Sequence, residues 1–306
     1  MRSLPFVAVL LLLTNTPAAL ADCAAPQLRL TAATREPRQG AVVPVVLRSD
    51  VPLASAVLTG EGERVPLEAE ASGRVFRGLV GVDFEAKTGQ ERFEVETADS
   101  CGASRAASLS LRVLAGGFPS QRLTLEPKYV EPPESEKERI ASDHAKVQSA
   151  WDSGEDGRRW RGPFLLPVPG TKAGAFGARR VLNGETKSRH AGVDMAAAAG
   201  TPVLAAAPAR VALAEDLYFS GGTVILDHGA GLFTTYFHLS KIDVHVGEVV
   251  AARQGIGEVG ATGRATGPHL HWGARLHGKR VNPLALLTLT AWPAGEHSKS
   301  DQSVSK

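Results

Sequence analysis

The stretch ATGRATGPHLHWGARL, residues 261–276, sets His269 and His271 on either side of Leu270, between a glycine-rich run and Trp272. On a β-strand, residues i and i+2 point to the same face, roughly 6 to 7 Å apart. His269 and His271 therefore look into one space, and Leu270 into the opposite, apolar side. Two imidazoles so placed can share one metal ion, or one can bind it while the other works on a substrate. The segment GATGRATG resembles a phosphate-binding loop only superficially, since it lacks the P-loop lysine and no helical pattern follows. Its glycines let the backbone turn tightly beside a substrate.

Outward from this run, TPVLAA (201–206), ARVALAE (209–215), GGTVILDHG (221–229) and LFTTYFHLS (232–240) are short, alternating and β-rich. The alanines around 196–214 favour a helix by propensity, but Gly200, Pro202 and Pro208 interrupt it. Residues 163 to about 287 are expected to form a mostly antiparallel β unit.

RHAGVDM (189–195) holds His190 and Asp194, and YFHLS (236–240) holds His238. The four-residue spacing of His190 and Asp194 would bring them together on a helix, but Gly192 lies between them. A bent loop entering a strand, with the glycine allowing the bend, fits better. Either geometry lets a nitrogen and an oxygen reach one ion, and one further imidazole completes an N, N, O set. Three protein ligands plus water is the arrangement of catalytic zinc; a structural zinc takes four, usually with thiolates. His228 reads as a structural residue at a strand end, and His245, His277 and His297 as surface residues. Tyr236, two before His238, is expected to share its face, either lining the groove or packing.

The run from FGARR (176–180) through HAGVDMAAAAGTPVLAAAPARV, GGTVILDHGAGLFTTYFHLS and GATGRATGPHLHWGARLHGKRVNPLALL resembles the lysostaphin/LytM-type zinc metallopeptidases, the peptidoglycan endopeptidases of metallopeptidase family twenty-three. The resemblance spans roughly residues 174–287 and includes H-x-x-x-D, Y-x-H-L and G-x-T-G-x-x-T-G-x-H-L-H. It implies His190, Asp194 and His271 as ligands of one zinc ion, and His238 and His269 as catalytic residues outside the coordination sphere.

The chain has 306 residues, enough for about two domains, with 43% hydrophobic and 22% charged residues. A formal net charge of +2 is too mild to argue for nucleic acid and is compatible with work near an anionic wall or membrane surface. Arg2, the apolar run 6–13 and the small residues Ala19 and Ala21 read as a signal peptide over 1–21, cut before Asp22. The apolar run is too short to span a bilayer, and Asp22 before Cys23 fits lipoprotein processing badly. The mature protein is expected to be exported, to the periplasm or the cell-wall or extracellular space, with no integral membrane segment. Cys23 and Cys101 are the only cysteines and are expected to form one disulfide there.

Within 22–115, AVVPVVLRS (41–49), ASAVLTG (54–60), RVFRGLVGVDF (74–84), ERFEVETAD (91–99) and ASLSLRVLA (107–115) are short strands separated by turns. They suggest an immunoglobulin-like β-sandwich. Residues 116–162 read as a Pro-rich linker with one helix, in which Ile140, His144, Val147 and Trp151 form one face; His144 is then a packing residue. Pro127, Pro132 and Pro133 argue against regular structure before it. The peptidase unit covers 163–290, and 291–306 is a polar tail expected to be disordered. The chain thus reads as mostly β, and as an exported zinc metalloendopeptidase acting on peptidoglycan stem peptides or cross-links. The alternative is a non-catalytic activator or adaptor of other wall hydrolases. Residues 22–115 are in either case a candidate surface for a regulatory protein.

Overall fold

Period-two alternation over residues 28–113 produces eight strands: β1 (Leu28–Ala32), β2 (Val42–Ser49), β3 (Leu53–Gly60), β4 (Glu63–Pro66), β5 (Glu68–Ala69), β6 (Val75–Gly81), β7 (Gly89–Asp99) and β8 (Ser104–Val113). The computed structural model describes residues 26–292 except 61, 100–103 and 125. The expected signal peptide, disulfide and His297 lie outside the described residues. The strands form two antiparallel sheets, in the orders β1-β2-β6-β5 and β4-β3-β7-β8. Val43, Val45, Leu47 and Phe76 of one sheet meet Leu58, Val95, Leu109 and Leu111 of the other in a single apolar cluster. All five strands expected from the sequence are present; β1, β4 and β5 are added, short pieces with too few apolar positions to read alone.

The Pro-rich stretch is more ordered than its prolines suggest. SQRL, free of proline, forms β9 (Ser120–Leu123). Pro127 opens a one-turn helix α1 (Pro127–Val130) at its first position, where the missing N–H costs nothing. The expected longer helix is α2 (Lys137–Asp152). Its packing face is carried by Ile140, Asp143, Val147, Ala150 and Trp151, while His144 alone of the expected four is exposed. The correction is physical: the Asp143 carboxylate accepts the Tyr218 backbone N–H at 2.7 Å, so burying it satisfies a backbone donor.

The remaining strands are β10 (Thr171–Gly174), β11 (Arg179–Leu182), β12 (Glu185–Arg189), β13 (Gly192–Ala196), β14 (Pro202–Leu204), β15 (Ala209–Leu217), β16 (Gly221–Asp227), β17 (Leu232–Ile242), β18 (Val249–Val250), β19 (Gly255–Val259), β20 (Leu270–Leu276) and β21 (Lys279–Val281). Most join one sheet in the order β10-β13-β20-β17-β16-β15-β18. A small sheet β12-β11-β9 stands beside it, with β9 parallel to β11. The large sheet's core includes Val193, Val224, Leu226, Tyr236, Leu270 and Trp272, each almost fully buried.

The sandwich is docked on this sheet by specific contacts. The Arg280 guanidinium donates to both oxygens of Asp83, at 3.1 and 3.0 Å. Phe84 and Phe118 each pack edge-on to Phe176, at 5.5 and 5.9 Å. Gly40, at φ +84°, leaves room for the Phe176 ring, which a Cβ would approach to 2.3 Å.

His228, just past β16, is structural as expected: it is fully buried, and its ring nitrogens contact the Pro208 carbonyl (2.9 Å) and the Thr234 hydroxyl (2.7 Å). Burial pushes its pKa down to about 4 from the ordinary 6.5. Between those values the unfolded chain holds a proton that the folded chain lacks, so this contribution to stability is complete above pH 6.5 and is lost as pH falls toward 4. His228→Ala is expected to cost about 2–4 kcal/mol by leaving a cavity and unpaired polar atoms. It should also flatten the loss of stability between pH 7 and 5. Urea denaturation at both pH values checks this.

Candidate metal centre

Strand register gathers the site. Asp194 on β13 lies directly opposite His271 on β20, and Val193 opposite Trp272. The apolar partners enter the core, so the carboxylate and the imidazole share the other face. His269 immediately precedes β20 and bridges to Gly260, keeping the alternation about Leu270. His190 sits in the bend before β13, its Nδ1–H donating to the Ala175 carbonyl at 2.9 Å. A carbonyl can only accept, so that bond leaves Nε2 as a bare lone pair.

Gly192 has a different role from the expected bend. It is already the first residue of β13 and does not adopt positive φ; a Cβ there would lie 2.5 Å from both His271 Nε2 and the Trp272 carbonyl oxygen. Gly192→Ala is therefore expected to push β13 from β20 and to weaken zinc binding at least tenfold. Gly255→Ala, where nothing lies within 4 Å of the added Cβ, should leave binding unchanged. Zinc titration calorimetry on the pair is the check.

Three donors converge. His190 Nε2 is 2.8 Å from Asp194 Oδ1, His271 Nδ1 is 3.0 Å from the same oxygen, and the two nitrogens are 2.9 Å apart. These three residues form the metal-competent group among the described residues, and all three are buried. Tetrahedral zinc with bonds near 2.0–2.1 Å has donor–donor edges of about 3.3 Å. The spacing and the N, N, O chemistry fit that ion. The other Asp194 oxygen accepts from Arg180 Nη2 at 2.8 Å, fixing the carboxylate as an outer-shell partner would. Burial alone would raise the Asp194 pKa, but the adjoining His190 and His271 rings outweigh it and hold the carboxyl well below the usual range. Burial pushes His271 down to about 4. At neutral pH the group therefore presents an ionised carboxylate and a neutral His271 ring, as metal ligation requires.

His238 and His269 stand beside the group, their rings 4.8 Å apart. Their Nδ1–H groups donate to the Thr262 and Gly267 carbonyls, each at 2.8 Å, so Nε2 is again the free nitrogen on both. His238 has φ +66°, unusual for a non-glycine residue and a form of strain that collects at functional sites. This bulge overturns the face expected to be shared with His238, and of the two roles expected for Tyr236 packing is the one found. Tyr236 pairs with Trp272 and is fully buried in the core, its hydroxyl accepting the Ala206 N–H. Phe237 instead stacks on His271, at 5.1 Å and 4°. The backbone reversal at His238 returns that ring to the site face.

All five candidate residues are thus brought together. His245 is exposed as expected, whereas His277 is half-buried. The sequence reading missed Arg180, Arg264 and Gln121, which line a cleft of about 300 Å³ with Asp194, His238 and His269. Consecutive arginines at 179 and 180 on one short strand were the available signal, since only one of them can face outward.

The model of peptidase family M23 matches residues 188–283. These residues form an M23 peptidase domain. The chain is 37% identical over 153 residues to the DD-carboxypeptidase/endopeptidase Mpg of Neisseria meningitidis, covering 49% of this chain and 34% of that protein. It is 41% identical over 95 residues to the peptidoglycan DD-endopeptidase ShyA of Vibrio cholerae, covering 31% and 22%. The chain therefore spans about a third or less of the length of these curated relatives. A solved structure of an M23 peptidase from Pseudomonas aeruginosa is 29% identical, covers 82% of this chain and 95% of its own, and aligns with a TM-score of 0.62. That alignment extends well beyond the M23 segment.

Proposed function

We propose that this chain is a zinc-dependent endopeptidase that hydrolyses peptide bonds in peptidoglycan. The observation that carries the reading is the complete constellation: three donors within 3.0 Å of one another, with two further imidazoles presenting free Nε2 atoms beside them. The wall hydrolases among the relatives support the substrate class. The roles follow the geometry. His190, Asp194 and His271 would hold one zinc ion, which when bound supplies a Lewis acid for the scissile carbonyl and for water.

His269 and His238 then move protons. Both are locked by Nδ1–H bonds, so each can only accept at Nε2 until it is charged. His269 Nε2 lies 3.7 Å from Asp194 Oδ1, which stabilises the imidazolium formed when it takes the proton of the attacking water. His238 is pushed down to about 3 by burial and by the neighbouring His271 and His269, which disfavours protonation there. We therefore assign His269 as the base that passes its proton to the leaving amine, and His238 as a neutral partner positioning water through Nε2.

Residues 163–290 are taken as the catalytic unit, and the leader over 1–21 as the means of export to the wall. No helix among the described residues is long and apolar enough to cross a membrane. The test is incubation of the purified protein with defined peptidoglycan fragments, with and without a chelator, followed by mass analysis. Chelator-sensitive cleavage at a peptide bond is expected. Intact fragments after zinc reconstitution would leave the non-catalytic reading.

A further inference from the structure

The cleft beside the candidate centre contains a cation with no carboxylate to meet it. Arg264 is half-buried on its wall, and among the described residues no acidic side chain pairs with it. Its placement is built in. The Arg264 N–H donates to the Phe219 carbonyl at 2.7 Å. The preceding Gly263, at φ +66°, lets the loop lie against Gly221 and Phe219, where a Cβ would come within 2.4 Å of the Gly221 nitrogen. The guanidinium rests over the Phe219 ring at 4.9 Å. Stacking occupies one face and leaves the N–H edge directed to hydrogen-bond partners.

Arg180, which lines the same cleft, adds a second positive charge and a buried Nε without a partner. Its Nη2 is spent on Asp194. Two arginines against one carboxylate leave the cleft net positive, and a half-buried unpaired guanidinium carries a desolvation cost that an anion removes.

We infer that Arg264, together with Arg180, is a carboxylate-binding subsite that selects peptides bearing a free carboxylate close to the bond cut. This rests on the hydrolase reading and names its substrate class more narrowly. The fork of a guanidinium matches a carboxylate in two parallel hydrogen bonds. An amidated peptide of the same shape keeps one carbonyl acceptor but sets its NH2 donors against the second N–H of the fork and carries no charge. The preference is therefore for charge as well as for size.

The test compares a synthetic stem-type peptide carrying free carboxylates with the same peptide amidated, using the zinc-loaded full chain. Wild type is expected to show a kcat/KM about 10- to 100-fold higher for the free-carboxylate peptide, mostly through KM. Arg264→Gln should erase that preference by slowing the free-carboxylate peptide far more than the amidated one, and Arg264→Lys should restore part of it. Equal rates on the two peptides in wild type would overturn the inference. So would an equal loss on both peptides in Arg264→Gln, because a structural arginine behaves that way. If wild type cuts neither peptide, the hydrolase reading fails by itself. Binding of the two peptides to the metal-free protein, followed by calorimetry, then decides the subsite: tighter binding of the free carboxylate supports it and equal binding removes it.

Discussion

His271→Ala abolishes zinc binding and peptidase activity together. This expected result follows from the register of β13 and β20, which makes His271 the direct neighbour of Asp194 and one corner of a donor triangle no wider than 3.0 Å. Losing an outer-shell partner of a metal ligand typically weakens affinity 10- to 100-fold; losing the ligand itself should exceed that. A ligand at a thousand times its Kd stabilises the folded state by about 4 kcal/mol. Wild type should therefore melt several degrees higher when zinc is added, whereas the variant should not respond. Removing His271 also frees the space beside Gly192, so the apo variant should fold. A zinc-dependent rise in Tm equal to that of wild type would contradict the assignment.

His269→Ala should behave in the opposite way toward metal, keeping the zinc-dependent rise in Tm and losing about 10²- to 10⁴-fold in kcat, the usual range for a displaced acid–base group. His238→Asn is the matching change on the other side. Asparagine tolerates the positive φ found there, so the bulge survives while the ring nitrogen is removed. If His269 carries the proton and His238 only orients water, the loss should be larger at 269. The double variant should lose much less than the product of the two, since groups acting as a unit are not additive. Steady-state kinetics on one peptidoglycan fragment, with zinc content measured in parallel, checks both statements. Full activity in either variant would remove that residue from the mechanism.

Much of this was legible because two periodicities coincide with the chemistry. The H-x-H of 269–271 already places both rings on one face, with Leu270 in the core, and β20 does so. The apolar alternation in residues 41–113 likewise reads directly as strands. What failed to read depends on contacts distant in sequence. Tyr236 and His238 share a face only if the strand is regular, and the reversal at His238 is imposed by packing against Ser220 and Thr262. His144 matches the helical period as well as Asp143 does, and only the Tyr218 N–H decides between them. Gly192 looks like a hinge until the His271 ring is placed against it. Arg264 sits in a glycine-rich run that suggests a turn, and its lack of a counter-charge is visible only once the cleft walls are assembled.

The central claim is that one divalent cation is held by His190 Nε2, Asp194 Oδ1 and His271 Nδ1. Anomalous diffraction at the zinc edge, from crystals of the zinc-reconstituted protein, tests it most directly. A single strong peak is expected within about 2.0–2.2 Å of each of those three atoms. A peak between His238 and His269 instead, or none at full reconstitution, would contradict it.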